Sequence, residues 1–504
     1  MEHLYLGIDI GTQSVKAAAF NASGEIRASA VEKQYMDTPH PGWATEKADI
    51  WWEKAVKCIQ KILKNISAEA IKGIGVDGVC HSPVLVDQDG ELLQRDIQLY
   101  CDKRNADIVE RCRTDYKACG IWEETGNVPA CNWMGMKIRW IKENEPELYE
   151  KAACILSAKD YINLRLTGIT GTDPSEASGT MLLNRKDSSW SKLAVSYMGL
   201  DMEKLPAIRR SCEIMGTVTR EAAALTGLKK GTPVVAGSGD MPSSLYGAGL
   251  IKPGICVDIA GTGSVIAVYS PCAVLNEKIA NLRCASPGWS PYLSMDSSGG
   301  AYRWMRDVMC KYEMKKAEQE GISSFDYLNR LAGAVPPGAE GVLFLPYLQG
   351  ERIRGSAYSK ATFTGLTPAS TTGHLARAVM EGVAFECRAS LELLDPLDEA
   401  EFVILTGGAA AGTLWSQIKA DIYGKPVKIL KQKETAAFGG ALLAAVANGE
   451  YKDEEEASNA VLKFEDEFLP IPENQSMYAE LYPIFEEIHQ RLQVPHEHLA
   501  GLRR

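Results

Sequence analysis

Three stretches of the chain carry residues whose types and spacing could handle phosphate and a metal ion. The first is Asp9-Ile10-Gly11-Thr12-Gln13-Ser14, which ends the apolar run of residues 4–8. A carboxylate in that place can hold a hydrated divalent cation. The backbone N–H groups and hydroxyls of a glycine-rich tip can face an anion with no bulky side chain in the way. The second stretch is Cys256-Val257-Asp258-Ile259-Ala260-Gly261-Thr262-Gly263-Ser264-Val265. It repeats the pattern of apolar strand, acid, small residue and Gly-Thr-x-Ser. Two copies about 250 residues apart are far less expected by accident than one. Duplicated hairpins predict two domains, with Gly11, Thr12, Gln13 and Ser14 facing one phosphate and Gly261, Thr262, Gly263 and Ser264 another. Taken singly, an Asp-x-Gly strand end needs nothing beyond the turn that glycine permits. The third stretch, Gly237-Ser238-Gly239-Asp240, sets an acid after the buried-type strand 232–236 and before a helix. Such a carboxylate can serve as a base or only cap the helix.

Further candidates stand at other strand ends, where ligands of α/β sheets usually sit. Gly407, Gly408 and Ala409 follow the apolar run 402–406, and backbone there can approach a flat ring or a phosphate. His81 lies in Val79-Cys80-His81-Ser82, just beyond the strand 71–78. Asp102 and Arg104 lie in Tyr100-Cys101-Asp102-Lys103-Arg104, which is expected to open a helix with Asp102 near its start. These three suit a polar substrate, and read equally well as a satisfied histidine and a surface ion pair. Lys16 is past the tip on the returning strand and is expected to pack or pair locally.

The elements that must position these residues follow from periodicity and breakers. Residues 4–10 and 14–20 predict a β-hairpin with a small, hydroxylated tip. Ile50, Trp51, Ala55, Val56, Ile59 and Leu63 fall near helical spacing and predict a helix from about Asp49. Residues 134–148 predict a helix stopped by Pro146, and 374–394 a long amphipathic one. Phe438-Gly439-Gly440-Ala441 begins a small-residue helix able to pack tightly. The residues from about 490 to 504 are polar and expected to be poorly ordered.

At 504 residues the chain exceeds one ordinary core, so two or three domains are expected. A net charge of −11 argues against a nucleic-acid binder held by phosphate contacts. No basic region followed by a long apolar stretch opens the chain, so no signal peptide is expected. No window of 18 uncharged apolar residues predicts a membrane span. Thirteen cysteines and seven histidines are scattered without metal-ligand spacing. They predict free thiols, no zinc site and a cytoplasmic protein. No G-x-G-x-x-G follows a strand to open a helix, which disfavours a Rossmann dehydrogenase.

From residue 4 to roughly 490 the chain resembles the FGGY carbohydrate kinase family. Its most specific motif is Ala361-Thr362-Phe363-Thr364-Gly365-Leu366 followed by His374-Leu375-Ala376-Arg377-Ala378-Val379-Met380-Glu381, which fits the family's second signature. Lys137-Ile138-Arg139-Trp140-Ile141 fits part of the first, with Met134 where a small residue or proline is usual. The run Phe344-Leu345-Pro346-Tyr347-Leu348-Gln349-Gly350-Glu351-Arg352 also looks like the family. Within it the xylulokinase branch is nearest, through Pro39-His40-Pro41-Gly42-Trp43, Lys159-Asp160-Tyr161, Thr172-Asp173-Pro174-Ser175-Glu176-Ala177-Ser178-Gly179 and Gly237-Ser238-Gly239-Asp240. Around the sugar the chain departs from that branch. It has Gly78-Val79-Cys80-His81-Ser82 for Gly-Gln-Met-His-Gly, Tyr100 for a tryptophan, and Met241 for a small polar residue.

The resemblance implies an α/β fold of two actin-like (ribonuclease H-like) ATPase domains with a cleft between them. Residues 1–246 would bind sugar and carry the first phosphate turn and the catalytic base. Residues 247–490 would carry the second turn and the adenosine site, and 491–504 a tail. The implied reaction is transfer of the γ-phosphoryl of ATP to a sugar hydroxyl. Asp240 would be the base, and Asp9 and Asp240 would hold Mg²⁺. Cys80, His81, Asp102, Arg104 and Asp240 would bind a ketopentose such as xylulose. Gly407, Gly408 and Ala409 would flank the adenosine. Ribulose, fuculose or glycerol is an alternative acceptor, and a non-kinase actin-fold ATPase an alternative activity. A homodimer is common in the family; no nucleic-acid or membrane partner is implied.

Overall fold

The structure is a computed structural model that describes residues 2–351, 357–394, 399–408 and 412–502. In chain order the strands used below are β1 (Leu4–Ile10), β2 (Ser14–Asn21), β3 (Ile26–Lys33), β4 (Ile71–Gly78), β5 (Ile214–Thr217), β6 (Pro233–Val235) and β7 (Ser238–Gly239). They continue with β8 (Ile255–Ala260), β9 (Ser264–Val268), β10 (Trp289–Met295), β11 (Phe402–Thr406), β12 (Val427–Leu430) and β13 (Phe464–Phe468). The helices are α1 (Ala48–Ile62), α2 (Met134–Asn144), α3 (Ala158–Thr167), α4 (Pro174–Ser178), α5 (Asp240–Gly247), α6 (Gly299–Met309), α7 (Thr372–Leu393), α8 (Thr413–Tyr423), α9 (Thr435–Ala447) and α10 (Pro472–Leu502).

Two compact units emerge. The first comprises the chain up to Ile251 with Ser270–Pro291 and Glu434–Leu462; the second comprises Lys252–Tyr269, Tyr292–Lys433 and the chain from Lys463. In the first, the sheet order is β3-β2-β1-β4-β6-β5, and β7 also pairs with β4. The β1–β2 hairpin is antiparallel, and β1 runs parallel to β4 in a register that sets Asp9 beside Asp77. Leu4, Leu6, Ile8 and Ile10 enter one core with Trp51 and Ile59 of α1. Tyr5, on the alternate face, packs with Ala437, Phe438 and Leu442 of α9. A strand buried on both faces reads as a near-continuous apolar run, and β1 does so until Asp9.

The division is therefore not contiguous in sequence, and the expected border at 246/247 falls inside the first unit. Residues Glu434–Leu462 return to that unit because α9 packs directly on its sheet. A Cβ at Gly7 would lie 1.7 Å from the carbonyl oxygen of Ala437, and one at Gly75 would lie 2.0 Å from that of Gly440. Only glycine allows the helix to sit so close. The tail expected to be poorly ordered from 490 is helical through Leu502 in α10.

In the second unit the sheet runs β10-β9-β8-β11-β12-β13, with β8–β9 antiparallel and β8–β11 parallel. Residues 292–295 of β10 pair with β9. Each unit thus sets a hairpin beside a parallel strand. Among the described residues no helix is long and apolar enough to cross a membrane.

Candidate active site

Three acids meet in the first unit. Asp9 ends β1, Asp77 lies opposite it on β4, and Ser238 of β7 pairs with Asp77 on the other side. Asp77 is fully buried, and among the described residues neither of its oxygens has a hydrogen-bond donor. Two carboxylates side by side disfavour each other's ionisation. Burial, and then the charges of Asp9 and Asp240, push Asp77 well above the usual carboxylate range. Asp9 itself is pushed up to about 7, by burial first and then by Asp240. Asp240 opens α5 and is half-buried. Burial raises it too, while the thiol of Cys80 and the N–H of Met241 oppose the rise. Gly239, not Asp240, occupies the helix cap, and Asp240 Oδ1 accepts the N–H of Met241 at 2.8 Å.

A buried network holds that corner in place. Lys159 Nζ reaches Asp160 (2.5 Å), Asp173 (3.1 Å) and the carbonyl of Ala236 (3.1 Å). Asp173 caps α4 through the N–H groups of Ser175 and Glu176. Ser175 Oγ then accepts the N–H of Gly239 at 3.1 Å. Glu176 is buried behind Gly239 and beside Cys80 Sγ, and both of its oxygens lack a partner among the described residues. Burial raises it well above the usual range, against the charge of Lys159.

His81 adopts a left-handed backbone, with φ of 65°. Its Nδ1 is 2.8 Å from the carbonyl oxygen of Gly179, which can only accept. The proton therefore sits on Nδ1, and Nε2 is left as an acceptor. Burial, helped by the charge of Lys137, lowers the imidazole to about 3 and keeps it neutral. Asp102 does not start a helix, since the next one begins at Ala106. Its oxygens are instead filled by the N–H of Ala44 (2.7 Å) and by the backbone and guanidinium of Arg104. That pair is buried rather than on the surface. The Arg104 guanidinium stacks 3.6 Å over Trp43 and lines a cavity of about 510 Å³ with Asp37, His40 and Lys47. Lys16 pairs with Glu434 at 3.0 Å and lies beside Asp9 in the hairpin register.

The first tip is turned by the N–H of Gly11 donating to Ser14 O at 3.1 Å. Gln13 is exposed, and Gly11, Thr12 and Ser14 are half-buried. In the second unit, Gly261 N–H donates to Gly263 O at 2.8 Å, and Thr262 is exposed. Ser264 is buried, its hydroxyl bonded to Ser298 at 2.8 Å. Gly407 and Gly408 are exposed at the end of β11. Ala409, and Arg352 of the family-like run, lie outside the described residues.

Asp77 and Glu176 were not among the expected site residues. The signal for Asp77 is an acid in the penultimate position of its strand, the place that Asp9 has in β1. Among the described residues no group of three or more His, Cys, Asp or Glu side chains is arranged to hold a metal. Two half-open acids, Asp9 and Asp240, the second of which raises the proton affinity of the first, still fit a hydrated divalent cation, which needs only one or two carboxylates.

Two mixed α/β units, each with a Gly-Thr-tipped hairpin beside a parallel strand, define an actin-like ATPase fold. The chain matches the N-terminal domain of the FGGY family of carbohydrate kinases over residues 4–247 and the C-terminal domain over 257–448, and it belongs to that family of sugar kinases. It is 29% identical over 490 residues to a xylulose kinase of Bacillus subtilis, covering 96% of each chain. It is 27% identical over 490 residues to an autoinducer-2 kinase of an Enterobacter species, covering 94% of this chain and 91% of that one. The crystal structure of a xylulose kinase from Rhodospirillum rubrum matches with a TM-score of 0.89 at 28% identity, covering 98% of this chain and 100% of that one.

Proposed function

We propose that this sugar kinase transfers the γ-phosphoryl of ATP to a hydroxyl of a ketopentose such as xylulose, with Asp240 as the base. The observation that carries the reading is the placing of Asp240. It is fixed at a strand-to-helix junction, half-open, with Asp9 close enough to be felt electrostatically. A hydroxyl is a poor nucleophile, so its proton must leave as the new O–P bond forms. Asp240 accepts that proton. The donors from Cys80 and Met241 offset the burial that would otherwise neutralise the carboxylate.

On the sugar side, His81 accepts a hydrogen bond from a substrate hydroxyl through Nε2 and stays neutral. Arg104 donates, with Asp102 locked behind it as its counter-charge. Cys80 contributes its backbone. On the nucleotide side, Gly11, Thr12, Gln13 and Ser14 line one phosphate turn, and Gly261, Thr262, Gly263 and Ser264 the other. Gly407 and Gly408, with Ala409, flank the adenosine. Asp9 and Asp240 would hold Mg²⁺, which would screen the charge on the phosphates. Relatives that are xylulose kinases at 29% identity support the ketopentose.

The test is a coupled ADP-release assay over a panel of ketoses, aldoses and polyols. Xylulose or another ketopentose is expected to give the highest kcat/KM. A best response to a hexose or polyol would overturn the ketopentose, and a flat panel would overturn the sugar-kinase reaction itself.

A further inference from the structure

Lys137 is fully buried on the first turn of α2. Among the described residues its amine has two hydrogen-bond acceptors, both main-chain carbonyls: His81 at 2.9 Å and Asn132 at 2.8 Å. A buried lysine normally earns its place through an ion pair, and this one spends its donors on two turns. The His81 carbonyl belongs to a non-glycine residue at φ of 65°, a conformation that L-residues occupy at a cost. The ring of the same residue is held from two further sides. Nδ1 donates to Gly179 O at 2.8 Å, and the imidazole meets Trp133 edge-on with centroids 5.2 Å apart. Trp133 precedes α2 and belongs to the turn that Lys137 ties through Asn132. One side chain therefore binds the strained backbone of His81 and the loop that carries its ring contact.

Burial lowers Lys137 to about 7, with Asp102 the main opposing charge. Among the described residues, two carbonyls and no carboxylate meet the buried amine.

We propose that Lys137 is a positioning residue for the sugar: it clamps the His81 carbonyl and the Asn132 turn, and so fixes the left-handed His81 whose imidazole meets a substrate hydroxyl. The inference rests on the sugar-kinase reading above and adds a residue that does not itself touch the sugar.

A double-mutant cycle tests it, because residues that act through one another are not additive. Lys137→Met, His81→Ala and the double variant are assayed for kcat and for KM of sugar and of ATP. Lys137→Met is expected to raise the sugar KM by about tenfold or more, which corresponds to roughly 1.4 kcal/mol. The ATP KM should stay within about twofold, a split that a general loss of folded enzyme would not produce. In the His81→Ala background, Lys137→Met should change the sugar KM by less than about twofold. An unmoved sugar KM in Lys137→Met, or additive effects, overturns the proposal. If Lys137→Met does not yield folded protein, Lys137→Gln, whose amide keeps donors on a shorter stem, carries the same cycle. Failure of the unmutated chain to release ADP with any sugar would instead overturn the kinase reading. Normal wild-type activity with an unmoved KM in the variants overturns only the role of Lys137.

Discussion

The hairpins β1–β2 and β8–β9 carry the same Gly-Thr-x-Ser tip, but their acids stand one position apart relative to it. Asp9 is two residues before Gly11, and Asp258 is three before Gly261. Side chains alternate along a strand, so a one-residue offset sends them to opposite faces. Asp9 stays half-open at the strand end, with Asp77 beside it and Asp240 near. Ile259 occupies the equivalent place in the second hairpin. Asp258 is fully buried, paired with Lys419 and accepting the Tyr423 hydroxyl at 2.8 Å, both from α8. The first acid is crowded by like charge and wants a cation or a proton. The second has its cation already, supplied by the chain. The repeated Gly-Thr-x-Ser tip therefore does not repeat the surroundings of its acid, since one position decides whether the acid stays half-open or enters the core.

The largest expected effect belongs to Asp240, which opens α5 and raises the proton affinity of Asp9. Asp240→Ala should lose roughly 10²–10⁴-fold in kcat if it is the base, with sugar binding largely kept. Turnover at the wild-type rate in the purified variant would remove Asp240 from that role and erase the functional side of the contrast.

Next comes a matched pair that should separate stability from activity. Asp258→Ala leaves a buried, unpaired Lys419 and should cost roughly 3–5 kcal/mol, because breaking a buried pair strands the other charge. The thermal transition should fall by several degrees, and a Lys419→Met, Asp258→Leu double replacement should recover much of it. Asp9→Asn should do the reverse, keeping or raising the melting temperature while weakening turnover and its Mg²⁺ dependence. If both single variants melt alike, the two acids are not as different as their faces suggest.

Much of this contrast was legible from residue order alone. The tips, the acid before each, the strand 71–78 and the Asp240 junction all lie in short stretches whose turn chemistry is local. What could not be read depends on contacts far apart in sequence. The partnership of Asp9 with Asp77 arises from a parallel register, which no local pattern encodes. Asp102 looked like a helix-start acid, but a backbone N–H from Ala44 and the guanidinium of Arg104 took its oxygens first. The return of Glu434–Leu462 to the first unit rests on the bare backbones of Gly7 and Gly75. The left-handed turn at His81 has no glycine to announce it, and its clamp sits 56 residues away.

A smaller effect concerns protons. Asp9 and Asp77 have folded-state pKa values raised above the ordinary 3.8. The folded chain thus binds more protons than the unfolded one from about pH 4 upward, and its stability should fall as pH rises towards 7. Asp77→Asn replaces the buried acid with a neutral amide that does not titrate. It should flatten that slope and stabilise the chain at pH 8 by on the order of 1–2 kcal/mol. Melting curves from pH 5 to 8 check it. An unchanged slope in the variant would mean that the proton affinity of Asp77 is not raised by folding, and the first hairpin would lose its charge conflict.

The smallest effect lies at the end of β11, where the second unit offers backbone instead of an acid. Gly407 has φ of +88°, and a Cβ there would lie 2.6 Å from the carbonyl oxygen of Ala260 on β8. Gly408, one residue on, has open space where its Cβ would be. Gly407→Ala should therefore destabilise by about 1–2 kcal/mol, since a left-handed conformation is costly for any residue with a Cβ. Gly408→Ala should leave the stability within the ±0.5 kcal/mol or so usual for exposed sites. Stability being equal, any rise in the ATP KM of Gly408→Ala then reports a ring or phosphate lying against that backbone. If neither stability nor the ATP KM moves at Gly408, the adenosine does not rest there, and the second unit's share in nucleotide binding narrows to its Gly261–Gly263 tip.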